Sequence, residues 1–216
     1  MKIAVFDLDG TLTRHDTLLP YLRGWRRRHP RSGFTGRALG PLCRYLVDRD
    51  RGRLKSALIR AAMSGATRSE VDRWTAEYVA SIGMGDLCGG ALAAIASHRA
   101  GGDRLVLLSA SVDLYVPHMG RCFAFDETIC TEVAWCDGRL DGGLVTANRR
   151  DEEKRRCVDA LRARHPGAAI VAYGNARSDF AHFAVADSAT LVNAGSRLRR
   201  EAVRLGYRTA EWRQVP

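Results

Sequence analysis

The sequence predicts an α/β protein: a doubly wound parallel sheet with an inserted helical subdomain. Three observations carry that prediction. An apolar run, Ile3-Ala4-Val5-Phe6, stands alone ahead of residues 18–86, which show helical periodicity only. From residue 91 onward, short apolar runs alternate with helical stretches, the pattern of parallel strands buried between helices. Three of the predicted strands end in polar residues, at the carboxyl edge where such sheets bind ligands. These are Asp7 and Asp9, then Ser109, then Asn175 and Asp179.

Residues 3–6 read as a buried strand feeding an acidic, Gly-containing turn. In the helical region, Leu39, Leu42, Cys43 and Leu46 share one face, and Leu54, Ala57, Leu58 and Ala61 another. Thr67 followed by Glu70 predicts a capping box, with Val71, Trp74, Tyr78 and Ile82 continuing on one helical face. Gly33, Gly36, Gly40, Pro41 and Gly52 divide the region into several helices. The expected division is a core of residues 1–16 and 87–216 and a subdomain of residues 17–86. Residues 91–99 then read as a helix, Gly101-Gly102-Asp103 as a turn and residues 105–108 as a second buried strand. Residues 128–145 read as a strand followed by hairpin-like excursions at Asp137-Gly138 and Asp141-Gly142-Gly143. Next come a helix at 152–164, strands at 169–173 and 190–192, and a last helix at 196–205.

The apolar fraction of 46% is enough to bury a core without disulfide or metal staples. No run approaches the ~18 apolar residues that cross a bilayer, and Ile3 to Phe6 open the chain without the regions of a signal peptide. The six cysteines, Cys43, Cys88, Cys122, Cys130, Cys136 and Cys157, show no ligand spacing. Reduced thiols, no zinc site and a cytoplasmic setting are expected. The six histidines share no metal spacing either, although His15 lies close enough to Asp7 to line an entrance.

Net charge is +10, and most of it sits between Thr17 and Asp86, which hold 14 Lys and Arg against 6 Asp and Glu. Such an excess concentrates anions. A solvated Arg-rich helical surface and an attraction for an anionic substrate or membrane remain open readings. Nucleic acid is not expected, because no aromatic interleaving accompanies the charge.

Two carboxylates one residue apart at a strand end can face one site in different roles. Asp7 is suited to attack phosphorus. Asp9 can protonate the leaving oxygen and then activate water. Lys154 could supply a point charge to the phosphoryl oxygens, and the Ser109 hydroxyl and loop amides could supply hydrogen bonds.

Four segments occur in order: Phe6-Asp7-Leu8-Asp9-Gly10-Thr11-Leu12-Thr13, Leu107-Leu108-Ser109-Ala110-Ser111, Lys154, and Tyr173-Gly174-Asn175-Ala176-Arg177-Ser178-Asp179. Together they resemble the four motifs of the haloacid dehalogenase (HAD) superfamily, over essentially the whole chain. The helical insert and the run Asn148 to Lys154 resemble subfamily IB, which contains phosphoserine phosphatase. The resemblance implies a Rossmann-like core with a helical cap, and Mg²⁺-dependent hydrolysis of a phosphomonoester through an aspartyl-phosphate. Asp7 matches the nucleophile and a metal ligand, and Asp9 the acid/base whose carbonyl also meets the metal. Ser109, Ala110, Lys154, Gly10 and Thr11 match the phosphate-holding positions. Asn175 and Asp179 fall at the remaining metal positions.

Asn175 departs from the family pattern, which has Asp there. An amide oxygen can ligate Mg²⁺ but brings no charge. The departure leaves open a weakened enzyme or a phospho-ligand-binding module, and a phosphotransferase with the same intermediate is a further alternative. Asp16 stands near the place of a substrate-contacting Glu in the phosphoserine phosphatases, or serves as a hinge or N-cap residue. The expected substrate is a small phosphorylated metabolite or an anionic phospholipid head group, the latter reached through membrane contact by the basic cap.

Overall fold

Strand β1 (Lys2–Phe6) buries both of its faces, with Ile3 and Val5 in one apolar cluster and Ala4 and Phe6 in another. Burial on both sides makes a continuous apolar run rather than an alternating one. The computed structural model describes residues 1–30 and 50–213. Gly33, Gly36, Gly40, Pro41 and the periodic run Leu39 to Leu46, with Cys43, lie outside the described residues.

After β1 come α1 (Leu18–Arg28), α2 (Arg51–Met63) and α3 (Arg68–Ala80), then α4 (Gly89–Ala100) and β2 (Arg104–Val112). The chain continues through α5 (Val116–Cys122), β3 (Glu127–Thr131), β4 (Val133–Cys136), β5 (Arg139–Leu144), α6 (Glu152–Arg164) and β6 (Ala169–Gly174). It ends with α7 (Phe180–Phe183), β7 (Ser188–Val192), α8 (Ser196–Arg204) and β8 (Arg208–Ala210). Six strands form one parallel sheet in the order β3-β2-β1-β6-β7-β8. The predicted doubly wound sheet is therefore present. β1, β2 and β6 lie side by side at its centre, which brings the three polar strand ends together.

The expected capping box is formed: the Thr67 amide donates to Glu70 Oε2 at 2.8 Å, and the Glu70 amide donates to Thr67 Oγ1 at 3.4 Å. Val71, Trp74 and Tyr78 are buried along α3, as their spacing predicts. β4 and β5 pair as the expected hairpin, with Asp137 at φ 48° and Gly138 at φ 73° making the turn, whereas Asp141-Gly142-Gly143, expected as a second turn, lies within β5. Three elements escape the sequence reading. α5 contains Pro117 and Gly120, which mask a helix, yet a side chain at Gly120 would meet Thr128 Oγ1 at 2.2 Å. α7 has four residues, and β8 has three and no apolar run.

The described helices between Leu18 and Ala80 do not stand apart from the sheet. Tyr21, Trp25, Ile59, Met63 and Trp74 share one buried cluster with Leu105, Leu107, Tyr115 and Leu140. Burying an aromatic ring contributes on the order of 4 kcal/mol, whereas an exposed ion pair contributes at most about 1 kcal/mol. Aromatic packing therefore seats these helices. The hairpin grips α2 as well: Ser56 donates to the Gly142 carbonyl at 3.1 Å, and Arg60 pairs with Asp141 at 2.7 Å. No described helix is long and apolar enough to cross a membrane.

Candidate active site

The end of β1 delivers Asp7, the first turn of α6 delivers Lys154, and the turn after β6 delivers Asp179. Lys154 Nζ donates to Asp7 Oδ1 and to Asp179 Oδ1, both at 2.6 Å. All three residues are buried, Lys154 with 2% of its surface exposed and Asp179 with 1%. The two carboxylates differ. Burial raises Asp7, with Lys154 opposing and Asp179 adding to the rise. Burial acts on Asp179 too, but Lys154 and the backbone bond from Ala176 outweigh it and hold that group low. Asp179 Oδ2 accepts the amides of Asn175 and Ala176 at 3.0 and 2.9 Å. Among the described residues, Asp7 Oδ2 receives only the Thr11 hydroxyl, at 3.2 Å.

Asp9 Oδ1 accepts both the amide and the hydroxyl of Thr17 at 2.7 Å, and Oδ2 accepts Ser111 Oγ at 2.6 Å. Burial raises its pKa, and Asp16 adds to the rise. Thr17 is held in turn, its hydroxyl 2.9 Å from Tyr115 Oη and its carbonyl accepting Tyr78 Oη at 2.8 Å. Asp9 is thereby tied to the first residue of the helical insert.

A cavity of about 410 Å³ joins these groups. Of the residues singled out from sequence, Asp7, Asp9, Gly10, His15, Asp16, Ala110, Lys154, Asn175 and Asp179 line it. Thr11 and Ser109 lie beneath the surface, 0% and 1% exposed, with Ser109 Oγ accepting the Ser111 amide at 3.0 Å. Gly10 has φ +78°, and a Cβ there would come within 2.0 Å of Asn175 Nδ2, so glycine meets both the turn and the close approach of that amide. Asp16 both lines the cavity and accepts the Leu19 amide at 3.1 Å, a cap on α1. Arg177 turns outward to Glu201 at 2.8 Å.

Sequence reasoning missed much of the far wall. Lys55 of α2 donates to the Ala110 carbonyl and, at 2.6 Å, to Asn148 Oδ1. Burial pushes it down to about 8, with Asp9 and Asp16 opposing. Both of its hydrogen-bond partners are neutral. Arg14, Arg51, Arg150 and Arg213 line the same cavity. One signal was legible in retrospect: the chain has three lysines, and Lys55 is the one inside an otherwise Arg-only insert.

Among the described residues, no three His, Cys, Asp or Glu side chains cluster to cage a metal. The groups at hand are Asp7, Asp179 and the Asn175 amide, a set offering oxygen ligands. That set suits a hard cation that keeps waters and substrate oxygens as its other ligands.

The model of the haloacid dehalogenase-like hydrolases matches residues 4–183. The protein CicA of Caulobacter vibrioides is 34% identical over 191 residues, 86% of this chain and 83% of that protein. A crystal structure of a Bordetella pertussis Tohama I protein of unknown function superposes with TM-score 0.76 at 22% identity, covering 96% of this chain and 97% of that one. A phosphoserine phosphatase solved as a phospho-aspartyl intermediate analogue superposes with TM-score 0.64 at 17% identity, covering 94% and 98%. At these identities the two structures speak to the fold.

Proposed function

The chain belongs to the haloacid dehalogenase-like hydrolases, and from that membership we propose that it hydrolyses phosphomonoesters through an aspartyl-phosphate on Asp7. The observation that carries this reading is the buried Asp7–Lys154–Asp179 group at the floor of a cavity whose wall holds Asp9. In the first step an Asp7 oxygen bonds to phosphorus as the ester oxygen leaves with a proton from Asp9. In the second, Asp9 takes a proton from water as that oxygen attacks phosphorus and Asp7 is released. The raised pKa of Asp9 suits the first role. Lys154 neutralises phosphoryl charge, and Gly10, Thr11, Ser109 and Ala110 stand in this reading at the phosphate-holding positions. Asp7, Asp179, Asn175 and the Asp9 carbonyl would hold Mg²⁺, which supplies charge neutralisation when bound.

Residues 17–86 act in this reading as a cap over the core of residues 1–16 and 87–216. Lys55 points to the substrate class. A half-buried ammonium whose hydrogen-bond partners among the described residues are neutral gains from an anion joining it. With Arg51 and Arg150 beside it, Lys55 suits an ester carrying a second negative group, either a small metabolite or a phospholipid head group.

The test is a phosphate-ester screen with Mg²⁺, with Asp7→Asn as control. Turnover of anionic esters that the control lacks supports the reading; turnover retained by Asp7→Asn, or none with any ester, sinks it. Asn175 favours a second reading, a binding module of low turnover. Asn175→Asp adds a charge at the metal position and should tighten Mg²⁺ about tenfold or more. An Mg²⁺ titration of turnover that is unchanged in this variant removes Asn175 from the metal site.

A further inference from the structure

A second cavity lies far along the fold, on the outer face of α8. It has a volume of about 710 Å³ and is lined by Arg197, Arg199, Arg200, Val203, Arg204 and Thr209, with no acidic residue among them. The spacing of Arg197, Arg200 and Arg204 places them on one side of the helix, away from buried Ala202. Several arginines on this molecule have acidic partners: Arg28 meets Glu77 at 2.8 Å, Arg60 meets Asp141 at 2.7 Å and Arg162 meets Asp187 at 2.9 Å. Among the described residues, no carboxylate pairs with Arg197, Arg200 or Arg204, and Arg199 has Glu211 only at 3.8 Å. Arg208, exposed on edge strand β8, extends the charge. Cations crowded in this way repel one another unless a polyanion faces them.

Two apolar side chains stand among these arginines. Val203 is 60% exposed and Leu205 is 54% exposed. Tyr207, just past α8, packs inward on Phe180 and Phe183 and offers no stacking platform for a base. Basic side chains around exposed aliphatic ones suit an interface with charged head groups above acyl chains. We propose that this face of α8, with Arg208 beside it, is where the protein settles on an anionic bilayer. The strip also leads toward the first cavity, since Arg213, three residues past β8, lines it. In the helical insert, Arg28, Arg53 and Arg60 are engaged by carboxylates, so part of the charge there is neutralised within the fold.

Co-sedimentation with vesicles tests the surface. Wild-type protein should bind phosphatidylcholine vesicles containing phosphatidylglycerol, ignore pure phosphatidylcholine, and release in high salt. Replacing Arg197, Arg200 and Arg204 together with Glu should weaken partitioning on the order of 100-fold, at about 1 kcal/mol for each basic residue lost. Val203→Asp should weaken it further. Arg23→Glu with Arg27→Glu on α1 should bind as wild type. Unchanged turnover of p-nitrophenyl phosphate shows that the triple variant is folded, and unchanged vesicle binding by Asp7→Asn separates the surface from the chemistry. The proposal is overturned if the triple variant sediments like wild type, if wild type ignores anionic vesicles, or if it holds duplex DNA but not vesicles.

Discussion

At the scale of single residues, Lys154 is one cation serving two buried carboxylates, each 2.6 Å away. Removing one member of a buried ion group leaves uncompensated charge and costs about 3–5 kcal/mol. Lys154→Ala should therefore lower stability by about that much in urea titrations without metal, besides abolishing turnover. A loss under about 1 kcal/mol would show that the group does not hold the site together. Asp7, Asp9 and Asp179 were legible at strand ends, and Lys154 through its order among the motifs that resemble the family's. Lys55 was not, since it reaches the cavity from a helix far from those motifs, and Ser111 and Thr17 were not, since their part is to hold Asp9. Ser111 shows the difficulty. It follows Ser109 by two residues, and only the register shift between Leu108 and Val112 shows which hydroxyl faces Asp9.

At the scale of elements, α3 is set by its own sequence, because a capping box satisfies orphan amides locally. Thr67→Ala should cost about 0.5–2 kcal/mol in thermal unfolding and leave turnover in place. A larger loss, or lost activity, would mean that Thr67 does more than start the helix. α2 is the opposite case. Its position comes from the β4–β5 hairpin, with Gly142 at φ +83° and its missing Cβ about 3.0 Å from the Arg60 amide. That contact steers Lys55, and no local signal in α2 announces it. β8 was equally hidden: three residues pair with β7 only because α8 returns them to the sheet edge.

At the scale of the whole molecule, response to acid sums opposing groups. His182 is buried beside the site, its Nδ1 without a hydrogen-bond partner among the described residues, and burial with Lys154 pushes it down to about 3. Its ordinary value is near 6.5, so between about 6.5 and 3 the unfolded chain binds the extra proton and stability falls with falling pH. Asp7, raised in the fold, acts in reverse: its contribution is present at low pH and lost as pH rises through its folded value. In metal-free buffer, the stability difference between wild type and His182→Gln should shift by roughly 2 kcal/mol from pH 7 to 5, in the variant's favour. A difference that stays constant would mean that His182 is not held neutral. The sequence by itself determined the parallel core, the helical insert and the carboxylates at the strand ends. Apolar runs, caps and strand-end carboxylates act over a few residues, and their physics is local. The tertiary structure alone decided which cations wall the cavity, how Asp9 is fastened to the insert and where unpaired arginines gather. Those outcomes depend on side chains from distant segments meeting in space, and on which charges find partners there.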